Sequence, residues 1–171
     1  KHNEIETNLT RIRALTRKKE HENWEFRAFL KEKCPSEKLD SLVHRLYQEI
    51  ASAIDCTACG NCCCEILPAL DQEDIERLAQ GLGISPKDLT DHRVLSVYIH
   101  YHFLILTPIA KAGVQEARPK DCRSYPHLHK EDMMSRLMSV VENYGICSIV
   151  FNVYEALKRE LWHEGVHDGE Y

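Results

Sequence analysis

Cysteines are concentrated at positions 56–64, where the sequence reads CTACGNCCC and holds five of the chain's eight cysteines. Cys56, Cys59 and Cys62 follow one another at C-x2-C steps. Such a step lets two thiolates of one turn bind a single ion at about 2.3 Å. Gly60 follows Cys59, where a turn often needs a residue that tolerates a positive φ. The spacing therefore predicts a metal or iron–sulfur site in this segment.

Disulfide bonding and redox switching are the alternative roles for these cysteines. A disulfide between cysteines one or two residues apart has strained geometry, and small secreted scaffolds distribute their cysteines along the whole chain. Disulfides are therefore not expected to be the main purpose. Clustered thiolates without a metal are readily oxidised, so a redox switch stays open as an alternative.

The source of the remaining ligands depends on how the cysteine run continues. Its spacing also opens the bacterial ferredoxin run C-x2-C-x2-C-x3-C-P. Here Ile66 and Leu67 stand where that run has its last Cys and its Pro, so a ferredoxin is not expected. The fourth ligand must come from Cys63, from Cys64 or from a distant cysteine. Two distant cysteines qualify because they adjoin predicted helix ends, and the proposed ligands are Cys56, Cys59, Cys62, Cys63, Cys122 and Cys147.

Other candidate ligands stay open. Packing is as good an explanation of Cys64 as ligation, and Cys34 is left out of the site. The histidines alternate in two pairs, so His100 and His102 would share one face of a strand. His127, which is paired with His129, is the best placed of the four because it lies beside Cys122 in sequence.

Apolar periodicity predicts a mainly α fold. One helix is expected at 3–32 and a second, capped by Ser36, through residue 54, and the two are expected to form an antiparallel hairpin. Asp71 is predicted to cap a helix at 72–80, and Ser85 with Pro86 starts another. The segments that follow are a minor β element at 94–107, a loop at 108–128 and helices near 130–143 and 148–163.

These elements predict a small single domain whose cysteine-rich loop region is pinned by metal. Its expected parts are an N-terminal helical hairpin at 1–54 and a cysteine-cluster metal-binding domain with the C-terminal helices at 55–171, joined in one compact unit. A structural zinc site supplies roughly 10–16 kcal/mol of apparent binding free energy. That is comparable to the stability of a whole domain, about 5–15 kcal/mol, so metal would decide whether the long loops fold.

The composition limits the class of protein. The 171 residues are 43% hydrophobic and 29% charged, which is typical of a globular chain rather than a disordered one. No stretch approaches the roughly 20 apolar residues that span a bilayer, so no membrane is expected and the cytoplasm is the expected compartment. The net charge of −5 argues against broad nucleic-acid binding.

A family resemblance rests on three motifs in order: CTACGNCC, a D-x3-L-A-x-x-L-G-like segment at 74–83, and RPKDCRSYP. Together they resemble the YkgJ-like cysteine-cluster family of zinc- or iron-chelating domains, over about residues 50–165. The resemblance implies that Cys56, Cys59, Cys62, Cys63 and Cys122 are metal ligands. The chain departs from the family between Cys64 and Cys122, where Ala112 stands at the place of a family cysteine, and at Tyr144, the first place of a C-x2-C that ends at Cys147.

The predicted function is chelation of zinc or iron through the cysteine cluster, with a structural or metal-handling role. One alternative is an iron–sulfur or non-haem iron oxidoreductase, in which the metal keeps an open position. The other is a zinc-ribbon-type interaction module that uses the basic face of the N-terminal helix. The cofactor would be zinc or iron, including an iron–sulfur cluster.

Overall fold

The chain is mainly helical in a computed structural model that describes residues 5–66, 70–90 and 117–163, apart from the side chains of Thr57, Cys63, Cys64 and His163. No strand occurs within these ranges, and the β element predicted at 94–107 lies outside them. The helices are α1 Leu9–Lys18, α2 Glu20–Lys33, α3 Ser36–Ala51, α4 Cys56–Cys59, α5 Cys62–Glu65, α6 Gln72–Leu82, α7 Pro86–Leu89, α8 Lys120–Ser124, α9 Met133–Asn143 and α10 Ser148–Lys158, which continues as a π-helical turn at Arg159–His163.

The chain divides into two compact units. Unit 1 combines Lys1–Ile54 with Pro126–Tyr171, and unit 2 is Asp55–Tyr125. The C-terminal helices therefore belong with the N-terminal helices and not with the cysteine segment. In unit 1, α9 packs against α2 and α3, while α10 packs against α1, α3 and α9.

The N-terminal segment contains two helices where the periodicity predicts one. The backbone leaves helical geometry at Lys19, with φ −101° and ψ 13°, between α1 and α2. The side chain of Lys19 bonds to Glu155 of α10, so the break lies where the chain meets the central helix. The next helix begins at Ser36 and its N-cap is Pro35, so the predicted capping role of Ser36 is wrong.

Helix α10 forms the centre of unit 1. Nearly all of its residues are buried, including polar Asn152 and Lys158, as expected for a helix that is surrounded by others. Phe26 of α2 packs edge-on against Tyr154, with ring centroids 5.2 Å apart, and stacks on Trp162 at 5.4 Å. The predicted helices near 130–143 and 148–163 are thus present.

A buried polar network joins α10 to α2 and α9. The ammonium of Lys158, only 1% exposed, donates to Glu22 at 2.6 Å, to Asn23 at 2.5 Å and to Glu155 at 2.9 Å. The hydroxyl of Tyr144 also donates to Glu155, at 2.7 Å. Burial alone would raise the pKa of Glu155, but Lys19 and Lys158 hold it below its usual range. A buried charge is tolerated when it is paired and hydrogen-bonded in this way.

Within the described ranges, no single helix has the length and apolar composition needed to cross a membrane. Among the described residues the one candidate is a pair, Met133–Asn143 with Ser148–Trp162, which is bent by 119° at the break between its members.

Candidate metal centre

Helix α4 carries the first two predicted ligands. Cys56 and Cys59 are its first and last residues, three apart, a spacing that places side chains on one face of a helix. Asp55 starts the turn, because its carboxylate accepts the backbone N–H of Ala58 at 3.3 Å. Gly60 ends it with a φ of 57°, which confirms the predicted positive φ, and donates to the carbonyl of Cys56 at 3.0 Å.

Helix α5 carries the other cysteines of the segment. Cys62 is its first residue, and its backbone carbonyl accepts the N–H of Ile66 at 3.0 Å. The side chain of Cys62 is partly buried, whereas Cys56 is exposed. Cys63 and Cys64 lie on α5 too, but their side chains are outside the description.

Cys122 lies on α8, a short helix within the segment predicted as a loop at 108–128. That prediction is wrong over Lys120–Ser124, which form a helix. Pro119 is the N-cap of this helix, with φ −54° and ψ 153°. The guanidinium of Arg118 donates to the carbonyl of Cys122 at 2.8 Å. Two members of the RPKDC motif therefore form the local structure that carries its cysteine.

Cys62 and Cys122 both pack against one apolar cluster in unit 2, although they are far apart in sequence. The centre of this cluster is buried, and Cys62 and Cys122 pack against it with partly buried side chains. Its centre is formed by Leu78, Ala79, Leu89 and Ala117. The structure therefore packs one thiol of the cysteine segment and one distant thiol against the same cluster.

Helix α6 provides much of that surface and is fixed at both ends. Asp71 caps it by accepting the N–H of Asp74 at 2.8 Å, as predicted. Its end is two residues later than predicted, because the helix continues to Leu82 and Gly83, with a φ of 67°, terminates it. The cap at Ser85 is also confirmed, since its hydroxyl accepts the N–H of Asp88 at 3.1 Å.

A buried carboxylate links α6 to the start of α8. Asp74 is 2% exposed, and its Oδ1 accepts the N–H of Lys120 at 3.0 Å and an N–H of Arg77 at 2.8 Å. The ammonium of Lys120 is exposed to solvent and lies 3.0 Å from Asp71 and 2.6 Å from Glu73. The Asp74 N–H and Lys120 hold the pKa of Asp71 low, and Lys120 lowers that of Glu73.

The remaining sequence candidates lie elsewhere. Cys147 is buried at the N-cap of α10 and belongs to unit 1, as does Cys34, which contacts the carbonyl of Pro35 at 3.7 Å. His127 and His129 also belong to unit 1, and the ring of His129 lies 6.1 Å from that of Tyr47. His100 and His102 fall outside the described residues, so their roles stay predictions.

The described donors suit a soft metal without completing a ligand set. Thiolates favour zinc, iron–sulfur clusters and copper(I). Among the side chains that are described, no three from histidine, cysteine, aspartate or glutamate are grouped so as to hold an ion. That set does not include Cys63 or Cys64. The predicted metal-pinned loop therefore stays a prediction, supported by the shared position of Cys62 and Cys122.

Sequence reasoning missed the residues that position the cysteines. Asp74 was identified only as the first residue of a family-like segment, and its contact with Lys120 joins it to a segment distant in sequence. The RP of the RPKDC motif was noted only as a family signature, although Arg118 holds the carbonyl of Cys122. A charged residue on the same helical face as Leu78 was the available signal.

No protein-family model matches this chain, and comparisons with curated proteins and with solved structures find no match.

Proposed function

We propose that the chain binds zinc or iron through the thiolates of unit 2, and that the metal is structural or is stored and delivered. The proposed ligands are Cys56, Cys59, Cys62, Cys63 and Cys122. The observation that carries this proposal is the position of Cys62 and Cys122 at one apolar cluster. Kinship with the YkgJ-like family, which the motifs suggest, is part of the same proposal.

The short elements of unit 2 favour a metal as a source of stability. Helices α4, α5 and α7 have four residues each, and α8 has five. Isolated helices of this length are unstable in water, because nucleation is costly and few hydrogen bonds follow. A bound ion that joins α4, α5 and α8 would supply binding free energy that these helices lack.

Cysteine chemistry fits the same role. A free cysteine has a pKa near 8.5, and a nearby metal lowers it, so a thiol binds as a thiolate. Partial burial of Cys62 and Cys122 against apolar side chains limits access of water to their sulfur atoms. A hydrophobic shell around a metal site controls the access of solvent and thereby the redox potential of the metal.

Metal content is the first test. The full chain, purified without oxygen and without a metal-affinity step, is expected to contain close to one or more zinc or iron ions per molecule by mass spectrometry. Zinc without colour supports a chelating or structural site. Iron with equimolar acid-labile sulfide and a brown colour supports a cluster and directs attention to electron transfer. A chain that contains neither metal, and takes up neither after reduction, would refute the proposal.

Serine variants test the ligands with a matched control. Cys62→Ser and Cys122→Ser each remove one thiolate and are expected to lower zinc affinity by about tenfold or more. Cys34→Ser is the control, because Cys34 lies in unit 1 and is not a proposed ligand. An equal loss in all three variants would show that cysteine substitution acts through the fold. Cys147→Ser, tested beside them, decides whether the predicted sixth thiolate contributes.

A further inference from the structure

We propose that Asp74 is a positioning residue for the metal site, which fixes the start of α8 so that Cys122 is held at the apolar cluster. This inference rests on the proposed function, because it assigns to Asp74 a role in metal binding without making it a ligand.

The backbone contact is the first step. Lys120 is the first residue of α8, so its N–H has no acceptor within the helix, and the preceding residue, Pro119, has no side chain that can cap it. Asp74 supplies the acceptor from another helix, at 3.0 Å. An aspartate at this place acts as an N-cap across two elements, and an N-cap fixes where a helix starts. Cys122 lies two residues further along the same turn.

The environment of Asp74 is the second step. Its side chain is 3% exposed, and a buried carboxylate is unfavourable unless it is paired and hydrogen-bonded. Arg77 provides the pairing charge at 2.8 Å, from one turn further along α6. Because this contact lies within α6, it orients the acceptor without any contribution from α8.

A shared helix face is the third step. Asp74 and Leu78 are four residues apart on α6, so they are neighbours on one face. Leu78 is central to the cluster against which Cys62 and Cys122 pack. One helix thus carries both the anchor of α8 and the surface that receives the two thiols. On the other side, Arg118 holds the carbonyl of Cys122 at 2.8 Å.

The experiment compares metal affinity in full-length variants by competition with a chromophoric zinc chelator. Loss of a positioning contact behind a metal ligand weakens binding by about 10–100-fold. Asp74→Ala is expected to show a loss of this size. Asp74→Asn keeps a neutral oxygen that can accept a hydrogen bond from the Lys120 N–H, so this variant is expected to keep part of the zinc affinity that Asp74→Ala loses.

Two substitutions at one position isolate the backbone contact. Lys120→Ala removes the ammonium and its ion pairs with Asp71 and Glu73 but keeps the N–H, and is expected to lose much less zinc affinity than Asp74→Ala. Lys120→Pro removes the N–H at the first helical position, where proline is otherwise well tolerated. It is expected to reproduce the loss seen in Asp74→Ala. This pair keeps the inference testable if Asp74→Ala does not fold.

A double-mutant cycle separates positioning from a general effect on the fold. If Asp74 acts through Cys122, Asp74→Ala is expected to weaken zinc binding no further in the Cys122→Ser background. Cobalt provides a second readout, because Asp74→Ala and Cys122→Ser should lose the same part of the sulfur-to-cobalt absorption. Additive losses, or wild-type affinity in Asp74→Ala and Lys120→Pro, would overturn the inference while the proposed function stands.

The remaining outcomes are distinguishable. Full zinc affinity in Cys122→Ser would remove Cys122 from the ligand set and overturn the role of Asp74, but leave metal binding at the other cysteines. A wild-type chain that takes up neither zinc nor iron would overturn both proposals.

Discussion

At the scale of single residues, Gly60 shows how the cysteine segment depends on backbone conformation. Its φ of 57° is in the left-handed region, and nothing lies within 4 Å of the place that a Cβ would occupy. A Cβ there would therefore meet no neighbour, and the cost of an alanine would be conformational. The residue closes the turn that carries Cys56 and Cys59, so the strain would act directly on the first two proposed ligands.

Substitution of Gly60 is expected to weaken metal binding through this strain. Gly60→Ala should destabilise the turn by about 1–2 kcal/mol, whereas Gly60→Asn should cost less because asparagine visits the left-handed region more readily. Zinc affinity by chelator competition measures the effect. Equal affinities for wild type, Ala and Asn would show that the turn does not need its observed conformation.

Residue types predicted the local features of the chain and failed for the buried charges. The caps at Asp71 and Ser85 and the positive φ of Gly60 depend only on nearby backbone, so they could be read from the sequence. Asp74 and Lys158 are buried by contacts with segments distant in sequence. The shared face with Leu78 was a signal for Asp74, but no local pattern identifies the distant segment that covers such a residue.

At the scale of elements, the interface of α9 and α10 contains a phenol that is held neutral. Burial raises the pKa of Tyr144 far above its usual range. The Glu155 carboxylate, which accepts a hydrogen bond from the Tyr144 hydroxyl, raises this pKa further. Burial likewise raises the pKa of Tyr154, which donates to the carbonyl of Asn23 at 2.9 Å.

These shifts predict a loss of stability in alkali. An unfolded tyrosine ionises near pH 10, so above that pH the unfolded chain binds fewer protons than the folded one, and the free energy of unfolding falls. Below pH 10 both forms are protonated and the contribution is complete. Tyr144→Phe should reduce the slope above pH 10 by up to about 1.4 kcal/mol per pH unit. Urea unfolding between pH 8 and 11 measures it, and an unchanged slope would contradict the assignment.

A stop signal predicted the boundary between α9 and α10, although α6 continues two residues past its predicted end. The helices near 130–143 and 148–163 were predicted because apolar residues recur around Gly145, which separates them. The break at Lys19 could not be predicted in this way, because the apolar periodicity continues through it without a glycine or proline. Helix α8 was missed for the opposite reason: Pro119 and Pro126 suggested a loop, although proline just before a first turn is compatible with a short helix.

At the scale of the whole molecule, the grouping of segments could not be derived from the order of the helices. The sequence suggests a boundary after residue 54, and the first segment of unit 1 does end there. That α9 and α10 return to α2 and α3 depends on which apolar faces fit each other. Periodicity shows that a face is apolar but does not identify the face that covers it.

The two units should respond differently to a chelator. If metal stabilises unit 2, its removal is expected to lower the helical circular dichroism while unit 1, which has its own core, stays folded. Both tryptophans of the chain, Trp24 and Trp162, lie in unit 1, so their fluorescence reports on that unit alone. The expected result is a loss of ellipticity with unchanged emission. A matching shift in emission would show that both units depend on the metal.

Unit 1 is built from the two ends of the chain, with unit 2 inserted between them. A ribosome releases α2 and α3 before unit 2, and the helices that cover them, α9 and α10, emerge after it. Phe26 and Leu30 are fully buried in the finished structure. They therefore lack the helices that cover them until the whole cysteine segment has been synthesised. Because domains generally fold as units as they emerge, unit 2 is complete before the N-terminal helices find their partners, and if it binds metal as proposed it can do so at that stage.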